Sequence, residues 1–262
     1  MEPSTKAEEV ESAQVQWLAM VGHELRTPLA VVVGHAELLV EHEAIDSHPV
    51  LRGQARAIVR NAVRLAALLD DATMLSALEL TGTLARPVAV DLRVVVERAS
   101  ADVTNTGRHP LPALELPELP VEVLGDAAQL RRAVRCLIDN AVKFTDDDGW
   151  VGVRLQQLEG FARLDVTDSG RGIASTDQKL VFTPFYRAAR IDRPSLSGAG
   201  LGLTIVDRVV RRHRGDVSVT SLEGRGSTFT VLLPVTDGPS LAEGDRCVPH
   251  SGGGLATDKG TQ

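Results

Sequence analysis

Hydrophobic positions divide the chain into two textures. Across residues 17–39 the apolar residues Leu18, Val21, Leu25, Leu29, Val32, Ala36 and Leu39 recur at steps of three and four. A second such stripe runs through Leu51, Ala55, Ile58, Ala62, Leu65, Leu69 and Ala72. Each stripe predicts an amphipathic helix. The polar stretch 41–49, closed by Pro49, predicts the turn between them. Two such helices bury too little surface to stand alone, so a four-helix bundle made from two copies is expected. From residue 81 to 87 the pattern dissolves into a connector holding Gly82 and Pro87.

Beyond the connector the period changes. A helix is predicted from Asp91 to Ser100 and a short strand over 121–124. Another helix starts at Asp126, with Gln129 three residues on in capping-box fashion, and runs to about Phe144. Alternating residues Val151, Val153 and Leu155, then Leu164 and Val166, predict strands. A helix over 201–214 ends at Gly215, followed by strands over 217–221 and 228–233. This order predicts an α+β chain: a helical-hairpin dimerisation domain (14–80), a linker (81–87) and an α/β sandwich with a helix layer on a mixed sheet (88–235). Residues 1–13 are expected to be flexible. Residues 236–262, rich in Gly, Ser, Pro and Asp, are expected to be disordered.

Composition changes this picture little. The 262 residues carry a net charge of -7, which argues against a nucleic-acid partner. Cys136 and Cys247 are too far apart in sequence to form a metal cluster or a disulfide framework. No apolar run approaches a membrane span, and a cytoplasmic setting is expected. His35, His42, His48, His109 and His250 show no metal-ligand spacing. The basic run Arg208, Arg211, Arg212, His213 and Arg214 sits where a helix C-terminus favours cations.

Four short strings carry chemistry. In Gly22-His23-Glu24-Leu25-Arg26-Thr27-Pro28-Leu29, His23 projects off the apolar stripe and Thr27 lies one turn on, on the same face. An exposed imidazole beside a carboxylate base, here Glu24, can attack a phosphoryl group; an ordinary surface histidine is the alternative. On the helix from Asp126, Cys136, Asn140 and Lys143 share one face opposite Leu130, Val134, Leu137 and Ala141. An amide oxygen beside an ammonium suits a cation and a polyphosphate, although a solvated helix face has the same composition. Asp168-Ser-Gly170-Arg-Gly172 follows a strand, so its glycines let the backbone approach a flat ligand. Gly198-Ala-Gly200-Leu201-Gly202 precedes a helix, where free N–H groups attract phosphate.

Taken in order, these strings resemble the H-box, N-box, G1 box and G2 box of sensor histidine kinases of two-component systems. Phe182-Thr-Pro-Phe185-Tyr-Arg187 resembles the F-box between the glycine boxes. The resemblance spans residues 14–234. It implies a Bergerat-type ATP-binding domain that uses ATP and Mg²⁺, and a homodimer whose partner is a response-regulator receiver domain. It further implies that His23 is phosphorylated, that Glu24 is the general base, and that Thr27 orients water in a phosphatase mode. Asn140 would ligate Mg²⁺ and Lys143 would contact phosphate. Asp168 would read the adenine amino group, with Gly170 and Gly172 beside it. Gly198, Gly200, Leu201 and Gly202 would meet the phosphates below a lid over 188–197; Arg187 and Arg190 are placed to meet phosphate there, with solvated loop arginines as the alternative. Cys136 stands where the family usually has a second Asn. That departure keeps another class open, an ATP-binding scaffold or pseudokinase that sequesters a regulator.

Overall fold

The computed structural model of the chain describes residues 25, 27–42, 48–80, 84, 87–187 and 200–236. His23, Glu24, Gly198 and the expected lid, flexible N-terminus and disordered tail lie outside the described residues.

Helix α1 covers 27–41, and α2 is the 32-residue helix Pro49–Leu80. Ala36, Ala55 and Ala62 are buried on these helices. Much of the apolar stripe is not: Leu25, then Val32 and Leu39 on α1, and Leu51, Ile58 and Leu65 on α2 are all exposed in the single chain. Exposed leucines at helical spacing mark a face that is unfinished in one copy.

The second region begins with β1 (Val88–Asp91), α3 (Leu92–Thr104), β2 (Pro112–Glu115), β3 (Glu122–Gly125) and α4 (Ala127–Phe144). It continues with β4 (Val151–Leu158), β5 (Phe161–Asp168), α5 (Gly202–Arg212), β6 (Asp216–Leu222) and β7 (Gly226–Pro234). A five-stranded mixed sheet has the order β2-β4-β5-β7-β6, with β2 parallel to β4 and the other pairs antiparallel. β1 and β3 form a separate antiparallel pair. The α/β sandwich expected from the sequence is thus present.

Strand β5 alternates strictly between buried and half-buried positions, which gives the sheet one apolar face. Helices α3, α4 and α5 cover it. Val96, Leu137, Ile138, Val166, Ile205, Val206 and Val209 are fully buried between the layers. Each such side chain contributes about 1.5–3 kcal/mol relative to exposure.

The N-terminus of α4 differs from the expected capping box. The Asp126 carboxylate accepts the Ala128 and Gln129 amides as predicted. Gln129, however, donates its side-chain amide to the Asp126 carboxylate, and does not reach back to the Asp126 backbone. The Asp126 N–H donates instead to Nε2 of His213, at 3.0 Å. His213, one member of the basic run at this helix end, is therefore a buried strut. Its ring is held at the other nitrogen by the Val209 carbonyl, 2.7 Å away. An acceptor at Nε2 and a carbonyl at Nδ1 require the neutral, Nδ1-protonated ring.

Candidate functional site

A cavity of about 620 Å³ opens between α4, the β5 end and the N-terminus of α5. Asn140, Lys143, Asp168, Gly172, Arg187, Gly200, Leu201 and Gly202 all line it. Gly170 lies just behind, with its N–H donated to Oδ1 of Asp168 at 2.9 Å. The structure thus brings together the expected nucleotide residues that it describes. Thr27 is exposed on α1 and does not line the cavity.

Periodicity explains the α4 wall. Leu130, Val134, Leu137 and Ala141 are buried against the core, so Cys136, Asn140 and Lys143 face the other way, into the cavity. At the far wall Asp168 ends β5 and is 6% exposed. Burial pushes its carboxyl above the usual carboxylate range, while the Gly170 and Ser227 amides oppose that shift. A buried carboxylate with only backbone donors on it retains acceptor capacity for a ligand.

Two glycines shape the floor. At Gly172 φ is +69°, and a Cβ would come within 2.1 Å of the Leu222 carbonyl. At Gly200 φ is +75°, and a Cβ would come within 2.7 Å of the Tyr186 carbonyl. Only glycine fits either place without displacing backbone. The Phe185 N–H donates to the Gly200 carbonyl at 3.0 Å, which ties the 182–187 segment to the glycine turn. Phe182 is fixed edge-to-face on Phe229, and its carbonyl accepts the Thr204 hydroxyl. Leu201, the N-cap of α5, gives no side-chain cap. The first-turn amides therefore face the cavity mouth without a side-chain acceptor, which favours an anion.

The electrostatics also favour a polyanion. Burial lowers the Lys143 ammonium, and Arg108, Arg187 and Arg171 push in the same direction against Asp139. Arg171 stacks 4.4 Å from the Phe144 ring centre. Cations gathered this closely repel one another until a negative ligand arrives. Cys136 keeps some surface exposure, yet burial pushes its thiol up to about 12. It remains protonated at neutral pH and offers no anionic ligand.

Sequence reasoning missed several lining residues. Arg108 comes from the loop after α3 and pairs with Asp139 at 2.9 Å. Arg64, Ala67, Leu68 and Asp71 come from α2. No local signal marks the α2 residues, because their place in the wall depends on how α2 docks on the second region.

Residues 13–81 match the His Kinase A (phospho-acceptor) domain, and residues 125–237 match the histidine kinase-, DNA gyrase B- and HSP90-like ATPase. The phosphate regulon sensor protein PhoR of Pseudomonas aeruginosa is 35% identical over 247 residues, covering 94% of this chain and 55% of that protein. The signal transduction histidine-protein kinase/phosphatase MprB of Mycobacterium sp. is 35% identical over 232 residues, covering 84% of this chain and 44% of that protein. Full-length ShkA, crystallised with AMPPNP, superposes with a TM-score of 0.66 at 27% identity, covering 84% of this chain and 46% of that one. The chain spans about half the length of the curated relatives it matches. With both domain matches in order and relatives that align with most of this chain, the chain belongs to the sensor histidine kinases of two-component systems.

Proposed function

We propose that the chain is an ATP-dependent protein-histidine kinase that phosphorylates its own His23 and passes the phosphoryl group to an aspartate of a response-regulator receiver domain. The observation that carries this reading is the cavity itself. It combines a buried acceptor carboxylate, Asp168, with a cation-rich α4 wall and an uncapped helix N-terminus.

ATP is the substrate that fits these features. Asp168 accepts the adenine amino group, Gly170 and Gly172 let the base lie against backbone, and Lys143 and Arg187 meet the phosphates. Gly200, Leu201 and Gly202 present the amides of the turn to the same groups, and Gly198 belongs to the same glycine string in the sequence. Asn140 is the neutral oxygen donor on the α4 face and suits Mg²⁺, a hard cation. Among the described residues no three His, Cys, Asp or Glu side chains converge, so phosphate oxygens and water would supply most of the coordination. Bound there, Mg²⁺ would neutralise charge on the phosphates.

Glu24 takes the proton from His23 as the imidazole attacks the γ-phosphorus, and ADP leaves with the electron pair of the broken P–O bond. Thr27, one turn from His23, orients water for the reverse, phosphatase mode. The exposed apolar stripes of α1 and α2 pair with those of a second copy in a four-helix bundle. The need for ATP and a receiver domain suits a cytoplasmic setting. No described helix is long and apolar enough to cross a membrane.

Cys136 supports one second reading, an ATP-binding scaffold that sequesters a regulator without turnover. Mapping phosphate by mass spectrometry at neutral pH after incubation with MgATP separates the two. Phosphate on His23 that moves to a receiver domain supports the kinase. Nucleotide binding without phosphate on any histidine supports the scaffold.

A further inference from the structure

One cation of the cavity wall comes from outside the strings that carry the chemistry. Arg108 lines the cavity from the loop between α3 and β2, and its guanidinium pairs with the Asp139 carboxylate at 2.9 Å. The loop is built to hold it there. The N–H groups of Asn105, Thr106 and Gly107 donate in turn to the carbonyls of Ala101, Val103 and Thr104, and the Thr106 hydroxyl also donates to Val103. Gly107, at φ +69°, turns the chain out of α3 through the left-handed conformation. Arg108 therefore springs from a fixed helix end.

Its partner marks the place. Asp139 is next to Asn140 and one turn before Lys143, on the cavity face of α4. The Phe144 carbonyl accepts the Arg171 N–H, so the turn after Asp168 closes on the C-terminal end of α4. A rise of about 1.5 Å per residue puts Asp139 about 6 Å further from that end than Lys143. With the base at Asp168 and phosphate at Lys143, as read above, the phosphate chain continues toward Asp139 and Arg108. The Lys143 ammonium feels both: after burial, Asp139 raising its pKa and Arg108 lowering it are the largest influences on it.

Two arginine–carboxylate pairs border the cavity, and they differ in kind. Arg132 pairs with Asp71 of α2 in side chains 27% and 14% exposed, whereas Arg108 and Asp139 are 52% and 41% exposed. A wet pair holds weakly, and opening it strands no buried charge. It is not needed as a staple either, because the Arg131–Asp102 ion pair and the fully buried Val96, Ala99 and Leu137 already hold α3 on α4. A phosphate offers a guanidinium more charge than a carboxylate does, with the same two-pronged geometry. We propose that Arg108 is a phosphate-binding residue of the nucleotide site, and that ATP takes it over from Asp139. Released, Asp139 stays beside Lys143 and supports its charge. The inference rests on the ATP reading of the cavity above and is independent of whether the phosphoryl group is then transferred.

The test is a double-mutant cycle read by nucleotide affinity. Isothermal titration calorimetry with a non-hydrolysable ATP analogue and excess Mg²⁺ gives Kd for wild type, Arg108→Ala, Asp139→Asn and the double variant. Circular dichroism checks that each is folded, and Arg108→Gln serves as a second variant with the same expectation. Arg108→Ala is expected to weaken binding about tenfold, the lower end for a hydrogen bond to a charged group. A loss of the same size is expected when Arg108→Ala is added to Asp139→Asn, because the guanidinium acts on the nucleotide and not through the carboxylate. A loss below about fivefold in either background overturns the proposal. Equal losses in the two single variants, with nothing further lost in the double variant, would make the pair a staple of the wall. If wild type binds no ATP analogue, the reading of the cavity itself fails and takes the proposal with it. If wild type binds and the cycle fails, the proposal alone falls.

Discussion

Asp168 has no cation on it and is held by two backbone amides, so its charge is available to a ligand. Removing that charge in Asp168→Asn replaces an ionised acceptor with a neutral amide. A hydrogen bond to a charged group is worth about 1.5–3 kcal/mol, so nucleotide affinity is expected to fall about ten- to a hundredfold, with the fold unchanged by circular dichroism. The sign of the pH dependence follows from burial. The acceptor form exists above a pKa that is raised, so affinity of wild type for a fluorescent ATP analogue holds at neutral pH and falls on acidification, earlier than for an ordinary carboxylate. Asp168→Asn should flatten that part of the profile. His213 gives the opposite kind of shift. Burial lowers its pKa, and protonation would put an N–H against the Asp126 N–H. Stability from the neutral ring is complete above the unfolded value of about 6.5 and is lost as pH falls from there through the folded value. His213→Ala leaves the buried Asp126 amide without its acceptor. It is expected to cost about 2 kcal/mol in urea unfolding at neutral pH, and to remove that acid-side slope.

At the scale of elements, α4 is the piece on which site and core meet. Its period of 3.6 made both faces legible: the buried set and the cavity-facing set fall where the sequence placed them. Its N-cap was legible as well, and Asp126→Ala is expected to lower stability by about 1 kcal/mol in thermal unfolding. The role of His213 was not legible, because its partner Asp126 lies 87 positions away and no local pattern encodes that pairing. Strands β1 and β2 were missed for a related reason. Each has four residues, and β1 shows the burial pattern exposed, exposed, buried, half-buried, with no alternation to detect. Such strands form because β3 and β4 offer them free edges. Helices α1 and α2 show how a stripe can be legible and yet unfinished. Ile58 is 47% exposed and Leu65 is 52% exposed. The paired-copy reading gives Ile58→Glu a clear outcome: sedimentation velocity should show a dimer for wild type and a shift toward monomer for the variant.

At the scale of the whole molecule, the cavity is walled both by the second region and by α2 of the helical hairpin. The composition of each body was legible from its motifs. The docking of one on the other was not, since Arg132 and Asp71 are 61 positions apart and each is unremarkable on its own helix. That docking decides which helix walls the cavity, while the contacts inside the cavity belong to the residue scale. The account as a whole depends on the cavity delivering its terminal phosphate to one imidazole. The most direct measurement is a time course with γ-labelled ATP on wild type, His23→Gln and Asp168→Asn, scoring label that survives alkali and is released by acid. The account predicts rising acid-labile label on wild type, none on His23→Gln, and slow uptake on Asp168→Asn that recovers at high ATP. Label of equal amount and lability on His23→Gln would contradict it.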